Sequence, residues 1–179
     1  MTELELAKLE SNVNKLIITE FGDKKDAGGH DYLQHLYAVA EAVENEWLSK
    51  VAVRSCAEFY KKAYIVALLH DILEDTDCMI QELRNIGCDD EIIEAIQSVT
   101  RRKDEQYYFD FIKRANKNPI GRIVKIYDLE NNMDIRRLSK FGDYEQKRLK
   151  KYWYSWKYLK GDISAVQANN AIHPNRLFR

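Results

Sequence analysis

The sequence predicts an all-α protein, a single helical globule of about seven or eight helices with no convincing strand. Only 7 glycines and 2 prolines occur among 179 residues, and so few turn residues favour long helices over many-turned β structure. Apolar residues also recur every three or four positions, as expected for helices with one buried face. A chain of this length can bury a sizeable core, so we predict one domain over residues 1–179, with its polar motifs at about 24–138 and a C-terminal helix and tail at about 143–179.

The first half of the chain divides into three predicted helices and one loop. Residues 21–29 are predicted to form a loop, because glycine and aspartate are frequent there. A helix from about 31 to 47 follows, and the next helix is predicted to end near Asp75. The helix before the loop spans about 3–20, with its apolar positions at Leu4, Leu6, Leu9, Val13, Leu16 and Ile17.

Capping residues divide the second half. Thr76-Asp77 could cap a short helix that runs to Ile86 and is stopped by Gly87. Asp89 or Asp90 could cap the helix after it. The later predicted helices span 91–99, 105–116, 119 to about 138 and about 143–159, and the tail 161–179 has little periodicity.

Composition excludes several classes of protein. The formal net charge of −1 does not suggest a dedicated nucleic-acid or membrane binder, although a local basic pocket for an anion is compatible with it. Cys56, Cys78 and Cys88 are odd in number and form no CxxC pair, so we interpret them as reduced thiols. The first residues lack a signal-peptide pattern, and no apolar run approaches the ~20 residues of a membrane span. We therefore expect a cytoplasmic protein.

Residues 67–76, Ala-Leu-Leu-His-Asp-Ile-Leu-Glu-Asp-Thr, are the most informative segment of the chain. At about 100° per residue on a helix, the apolar side chains fall on one face and four polar ones, His70, Asp71, Glu74 and Asp75, on the other. Residues three and four apart are neighbours on a helix. The array could therefore hold a divalent cation and leave carboxylates free for water or substrate. The alternative is an ordinary amphipathic helix with a solvated acidic face.

Two further segments supply possible partners for this array. His35 is predicted to point inward, because it shares a helix face with Val39. A lone inward histidine is more often a hydrogen-bonded core residue than a ligand. Farther along, Lys125, Asp128 and Asn132 share one helix face beside apolar neighbours. That polar stripe is better explained by a cleft than by an exposed surface, although not uniquely.

The three segments together offer two histidines and two aspartates as candidate metal ligands: His35, His70, Asp71 and Asp128. Mixed imidazole and carboxylate donors suit Mn²⁺, Fe²⁺, Co²⁺ or Zn²⁺, whereas structural zinc sites are usually rich in cysteine. Four such ligands leave positions open for water and a phosphate oxygen. A cation there would lower the pKa of its water and neutralise phosphoryl charge.

This pattern resembles the HD-domain metal phosphohydrolases, whose signature is H…HD…D. It is most similar to their alarmone hydrolase branch, the hydrolase half of the Rel/SpoT enzymes and the stand-alone small alarmone hydrolases. The resemblance runs from about Lys24 to Leu138. The matching motifs are Tyr32-x-x-His35-x-x-x-Val39-Ala40, Leu68-Leu69-His70-Asp71-x-x-Glu74-Asp75-Thr76, Val99-Thr100-Arg101-Arg102 and Val124-Lys125-x-x-Asp128-x-x-x-Asn132-Met133.

The resemblance implies an activity and a role for each motif. Family members remove the 3′-pyrophosphate from ppGpp-type nucleotides, giving GDP or GTP and pyrophosphate. By resemblance, Mn²⁺ is the usual ion, held by the four candidate ligands, and other divalent transition metals are alternatives. Glu74 and Asp75 match the pair that positions or deprotonates the attacking water. The residues that would contact the nucleotide are Lys24, Lys25, Arg101, Arg102, Lys125 and Asn132. Each of the bases is equally well explained as a solvated surface residue.

Two departures from the family pattern concern the nucleotide pocket. Asp31-Tyr32 stands where members commonly have Pro-Tyr, and residues 127–133, Tyr-Asp-Leu-Glu-Asn-Asn-Met, stand where many have Ala-Asp-Arg-Leu-His-Asn-Met. The rival interpretations are an HD-type nucleotide phosphatase that releases orthophosphate and a non-catalytic nucleotide sensor. Residues 147–158 interleave bases with aromatics, a composition that can bind single-stranded nucleic acid but is more often an amphipathic helix packed on the core.

Overall fold

The computed structural model describes residues 1–49 and 56–174, and this part of the chain is all-α, as predicted. Among the described residues, the β structure consists of an isolated antiparallel backbone pairing between Lys25 and Asp31. None of the helices described is long and apolar enough to span a bilayer. The helices are α1 (Glu3–Phe21), α2 (Tyr32–Ser49), α3 (Ala57–Leu69), α4 (Ile72–Asp75), α5 (Ile80–Ile86), α6 (Asp90–Val99), α7 (Tyr108–Lys117), α8 (Pro119–Asn132), α9 (Asp143–Lys160) and α10 (Ala165–Ile172), with a 3-10 helix at Ile135–Arg137.

Several helix ends follow the predicted capping chemistry. The carboxylate of Asp89 accepts the backbone N–H of Ile92 at 3.0 Å and begins α6. Gly87 ends α5 with φ of 115°, a left-handed conformation that glycine adopts without the steric penalty of a side chain. Pro119 occupies the first turn of α8, where its missing N–H has no helical partner to lose.

One predicted helix is broken where the chemistry is densest. The sequence pattern predicted a continuous helix to Asp75, but α3 ends at Leu69 and a separate single turn, α4, begins at Ile72. Nδ1 of His70 lies 2.7 Å from the carbonyl oxygen of Ala67. That carbonyl is the acceptor that a continuing helix would offer to the N–H of Asp71. The side chain therefore competes with the helix at this point, and the prediction of one continuous helix to Asp75 was wrong.

Three other boundaries differ from prediction. The helix expected to run to about 138 ends at Asn132. The short helix α5 begins at Ile80, because Thr76 instead accepts the N–H of Cys78 at 3.1 Å. The tail contains α10, whose cap Ser164 forms a reciprocal pair of hydrogen bonds with Gln167. Residues 175–179 of the tail lie outside the described residues.

Two apolar clusters meet at α8. The larger one joins buried side chains of α1, α2, α3, α5 and α6 to one side of α8, including Ile120 and Val124. The smaller one joins α7, α9 and α10 to the other side of α8, including Ile126 and Leu129. Because the two clusters cover α8 on two sides, only a narrow part of its surface is available to polar side chains. Lys125 and Asp128 are accordingly buried along the seam between the clusters.

Candidate metal centre

Four candidate ligands converge from three packed helices. His35 lies on α2, His70 directly follows α3, Asp71 precedes α4, and Asp128 lies on α8. The helices α2, α3 and α8 pack against one another. His35, His70 and Asp128 are buried, with 4%, 1% and 3% of their surfaces exposed. The predicted inward orientation of His35 is confirmed.

The donor atoms lie within a few ångströms of each other. Nε2 of His35 and Nε2 of His70 are 3.1 Å apart. Oδ2 of Asp71 lies 3.6 Å from the His35 nitrogen and 3.1 Å from the His70 nitrogen. Oδ1 of Asp128 lies 3.3 Å and 3.5 Å from the same two atoms. His35, His70 and Asp71 therefore form a group whose donor atoms could hold one metal ion, and Asp128 lies against both imidazoles beside it.

Hydrogen bonds at the far ring nitrogens fix which nitrogen faces the centre. Nδ1 of His70 must donate to the carbonyl oxygen of Ala67, because a carbonyl only accepts. Nδ1 of His35 lies 2.7 Å from Oδ1 of Asn131, and it donates to this oxygen. In the neutral form, both Nε2 atoms therefore present lone pairs to each other. Two facing lone pairs need a shared cation or a proton between them.

The spacing of the donors suits a transition-metal ion. With metal–ligand bonds of about 2.0–2.2 Å, ligands separated by roughly 90–110° around a cation lie about 3.0–3.6 Å apart. The five donor-to-donor distances between the imidazoles and carboxylates fall between 3.1 and 3.6 Å. Two imidazoles and two carboxylates are also the donor types that Mn²⁺, Fe²⁺, Co²⁺ and Zn²⁺ accept. His35, His70 and Asp71 therefore fit a divalent cation, with Asp128 in contact with both imidazoles.

Charge coupling dominates the electrostatics of the centre. Burial disfavours the imidazolium form of His70, but the carboxylates of Asp71 and Asp128 outweigh it and raise the pKa of His70 to about 10. Burial likewise opposes ionisation of Asp128, yet the ammonium of Lys125 and the two imidazoles hold its pKa well below its usual range. Lys125 contacts Asp128 at 2.6 Å. The centre is thus an array of mutually stabilising opposite charges.

The Glu-Asp pair that follows the ligands divides into two different environments. Oε2 of Glu74 accepts the backbone N–H of Arg101 at 2.9 Å, and burial raises the pKa of Glu74 in spite of this bond. Oδ2 of Asp75 receives the hydroxyl of Tyr32 at 2.7 Å and lies 3.2 Å from Nζ of Lys24. One oxygen of each carboxylate is therefore engaged, by a backbone N–H at Glu74 and by a hydroxyl and an ammonium at Asp75.

A cavity of about 790 Å³ opens onto the ligands. Of the residues predicted to contact a nucleotide, Lys25, Arg101, Lys125 and Asn132 line it. Lys125 and Asn132 both bind the carboxylate of Asp128, at 2.6 Å and 2.5 Å, so they orient a ligand as well as facing the cavity.

Two predicted contacts lie elsewhere. Lys24 is outside the cavity wall; its ammonium stands over the ring of Tyr32, 4.9 Å from the centroid, and pairs with Asp75. Arg102 is also outside the wall and is exposed. Its backbone N–H is held by the carboxylate of Glu105 at 2.8 Å.

Helix α9 contributes bases that sequence reasoning did not assign to the site. Arg148, Lys151 and Tyr152 line the cavity, although residues 147–158 were predicted to be an amphipathic helix packed on the core, with single-strand binding as the alternative. Burial and the nearby charges of Arg101 and Arg148 lower the pKa of Lys151. Among the described residues, Nε of Arg148 is buried without a hydrogen-bond partner. The i,i+3 and i,i+4 spacing of these three residues was the available signal.

No sequence pattern assigned three other cavity residues to the site. Tyr108 lines the wall from α7, and Arg137 lines it from the 3-10 helix. Tyr32 was quoted only as part of a motif, yet its hydroxyl lies 2.7 Å from Oδ2 of Asp71 as well as from Asp75. Their positions depend on contacts between segments distant in sequence.

Comparison with known proteins adds no relative. A scan against models of protein families finds no match to this chain, and a search of curated proteins likewise finds none.

Proposed function

We propose that this protein is a metal-dependent hydrolase that removes the 3′-pyrophosphate from (p)ppGpp-like nucleotides, releasing GDP or GTP and pyrophosphate. The observation that carries the metal part of the proposal is the pair of imidazole Nε2 atoms 3.1 Å apart, with both Nδ1 atoms already hydrogen-bonded elsewhere. The substrate part rests on the resemblance of the four sequence motifs to alarmone hydrolases.

The cavity supports an anionic substrate. Its wall carries a group of bases, Lys25, Arg101, Lys140, Arg148 and Lys151. A nucleotide with phosphates at both the 5′ and 3′ positions needs positive charge at two separated points. The metal centre with Lys125 provides one, and the bases of α9 provide the other. Tyr108 and Tyr152 offer aromatic faces beside them.

Each side chain at the centre has a task in the proposed reaction. The cation, when bound, would neutralise charge on the 3′-phosphates and lower the pKa of a nearby water. Glu74 accepts a proton from the attacking water, and its raised pKa moves it toward the range in which a general base is effective. Asp75 holds Tyr32 and Lys24 in place through its Oδ2. The water oxygen bonds to the 3′-phosphorus as the bond from that phosphorus to the 3′ oxygen breaks. The proton taken by Glu74 passes to the 3′ oxygen, which becomes the hydroxyl of GDP or GTP, and pyrophosphate is released with the water oxygen.

The test is Mn²⁺-dependent turnover of ppGpp by the purified protein, with GDP, pyrophosphate and orthophosphate resolved as products. We expect GDP and pyrophosphate, with activity lost in Asp71→Ala and retained in Asp77→Ala, a matched exposed carboxylate outside the cavity. Orthophosphate as the product would favour a nucleotide phosphatase instead. Tight nucleotide binding without turnover, in protein shown to contain the metal, would favour a sensor and contradict the proposal.

A further inference from the structure

The hydrogen bond that orients His35 continues outward to Arg137, whose Nη1 also lies 3.3 Å from Nδ1 of His35; the acceptor-only oxygen of Asn131, at 2.7 Å, is the nearer partner of that nitrogen. Oδ1 of Asn131 accepts the Nδ1–H of His35 at 2.7 Å and is also contacted by Nη1 of Arg137. A guanidinium only donates, so the atom facing it must be the amide oxygen and not the amide nitrogen. Arg137 therefore determines the orientation of the Asn131 side chain.

Arg137 is itself held by a second segment. Its Nη2 lies 2.8 Å from Oδ2 of Asp26, in the loop before α2. Oδ1 of the same carboxylate accepts the backbone N–H groups of Gly28 and His30, at 2.8 Å and 2.9 Å. Asp26 is thus fully engaged in fixing the loop and the guanidinium together, and its side chain is only 12% exposed.

The two segments also touch through their backbones. A side chain at Gly28 would overlap the carbonyl oxygen of Arg137, so glycine is required for this close approach. Ser139 donates a hydroxyl to the carbonyl of Ala27 at 3.3 Å. The loop at 26–30 and the chain at 137–139 therefore form a clamp next to Asn131.

We propose that Arg137 is a positioning residue for the metal centre: through Asn131 it holds His35 with Nδ1 protonated and Nε2 directed at the cation. This inference rests on the proposed metal-dependent function. A rotated Asn131 would present its NH₂ group to Nδ1, and two donors would then face each other. His35 would have to turn or change tautomer, which removes its lone pair from the centre.

The first test measures the affinity of the metal-stripped protein for Mn²⁺ by competition with a chelator. Partners of metal-bound histidines typically contribute about 10- to 100-fold in metal affinity, and we expect a loss of this size in Arg137→Ala and in Asn131→Leu. Arg136→Ala is the matched control, because Arg136 is 86% exposed and pairs only with Asp134 among the described residues. Asn131→Asp should bind as wild type, since its carboxylate still accepts from both neighbours.

A spectroscopic readout separates positioning from a general loss of stability. The visible spectrum of bound Co²⁺ reports the geometry of its ligands, and we expect it to change in Arg137→Ala but not in Arg136→Ala. Unchanged affinity and spectrum in Arg137→Ala, with only a lower Tm, would overturn the inference. Loss of binding in Asn131→Asp equal to that in Asn131→Leu would also overturn it, even if Arg137→Ala did not fold.

The outcomes distinguish this inference from the proposed function. Metal binding that depends on Arg137, in a protein that does not hydrolyse ppGpp, would support the positioning role and contradict the proposed activity. Hydrolysis of ppGpp by a protein whose Mn²⁺ affinity does not change in Arg137→Ala would support the proposed activity and contradict the positioning role.

Discussion

Replacing Lys125 with methionine should destabilise the metal-free protein and at the same time tighten its hold on a divalent cation. Nζ of Lys125 lies 2.6 Å from Oδ2 of Asp128, while Oδ1 of the same carboxylate faces the two imidazole nitrogens. Both residues are buried, with 9% and 3% of their surfaces exposed. The ammonium of Lys125 therefore compensates the charge of Asp128 at Oδ2, and a bound cation would compensate it at Oδ1.

The magnitude follows from the distance and the burial. At 2.6 Å and an effective dielectric of about 20, the pair attracts by roughly 6 kcal/mol before desolvation is counted. Removing one partner of a buried pair typically costs about 3–5 kcal/mol, and we expect this loss in the metal-free variant. A bound cation still compensates Asp128, so the loss should shrink by about 2 kcal/mol in the metal-loaded protein. By linkage, the variant then binds the cation about 30-fold more tightly than wild type.

Urea unfolding followed by circular dichroism, in EDTA and in saturating Mn²⁺, measures the two losses. Chelator competition measures the Mn²⁺ affinity of the variant and of wild type independently. The change in affinity must match the difference between the two unfolding losses. Lys113→Met is the matched control, because Lys113 pairs with Asp110 at the same i,i+3 spacing but with both side chains about one-third exposed. We expect Lys113→Met to lower the free energy of unfolding by less than about 1 kcal/mol, equally with and without Mn²⁺. Equal destabilisation of Lys125→Met with and without Mn²⁺ would refute the reasoning, since it would mean that Asp128 does not face the cation.

Three further predictions concern the shell of the site and the packing beneath it. Tyr32→Phe removes a hydroxyl shared by two site carboxylates, so Mn²⁺ affinity in the chelator assay should fall about 10-fold. Gly121→Ala should lower the free energy of unfolding by about 1–3 kcal/mol in urea, because its Cβ would overlap the Ser98 side chain; adding Ser98→Ala should restore part of the loss. Burial opposes ionisation of Asp26, but hydrogen bonds from His30, Arg137 and Gly28 outweigh it and lower its pKa to about 2 from 3.8. The stability that Asp26 adds over Asp26→Asn should therefore be complete above pH 4 and disappear as the pH falls through about 2, as measured by acid titration of both proteins.

Most of the helices could be predicted because their signals, end caps and apolar spacing, lie within a few neighbouring residues. The cap at Asp89, the stop at Gly87 and the apolar spacing of α1 each depend on a few neighbouring residues. The same local signals missed the break at His70, because a side-chain bond to Ala67 competes there with a strongly apolar pattern. They also missed α10, whose cap at Ser164 was not recognised in a segment of weak periodicity.

The candidate ligands were visible in the sequence because few residue types bind metals. Their individual patterns were also compatible with a core histidine and a solvated acidic face, and the family resemblance favoured a metal site. The structure brings the four side chains into contact. The bases were harder to assign, since a lysine or arginine on a helix surface has the same local pattern whether it faces a cavity or solvent. Arg102 was predicted at the site and lies outside it, whereas Arg148 was not predicted and lines it.

The sequence by itself determined the helical class, most helix boundaries and the identity of the four candidate ligands, since these depend on neighbouring residues and on intrinsic side-chain chemistry. The tertiary structure alone decided which ring nitrogen of each histidine faces the centre, which bases meet in the cavity and how Arg137 reaches His35. Those features join residues distant in sequence, as in the contact between Asp26 and Arg137, which are 111 positions apart. Such contacts arise from how α2, α3 and α8 pack, and packing is set by the whole core rather than by any one segment.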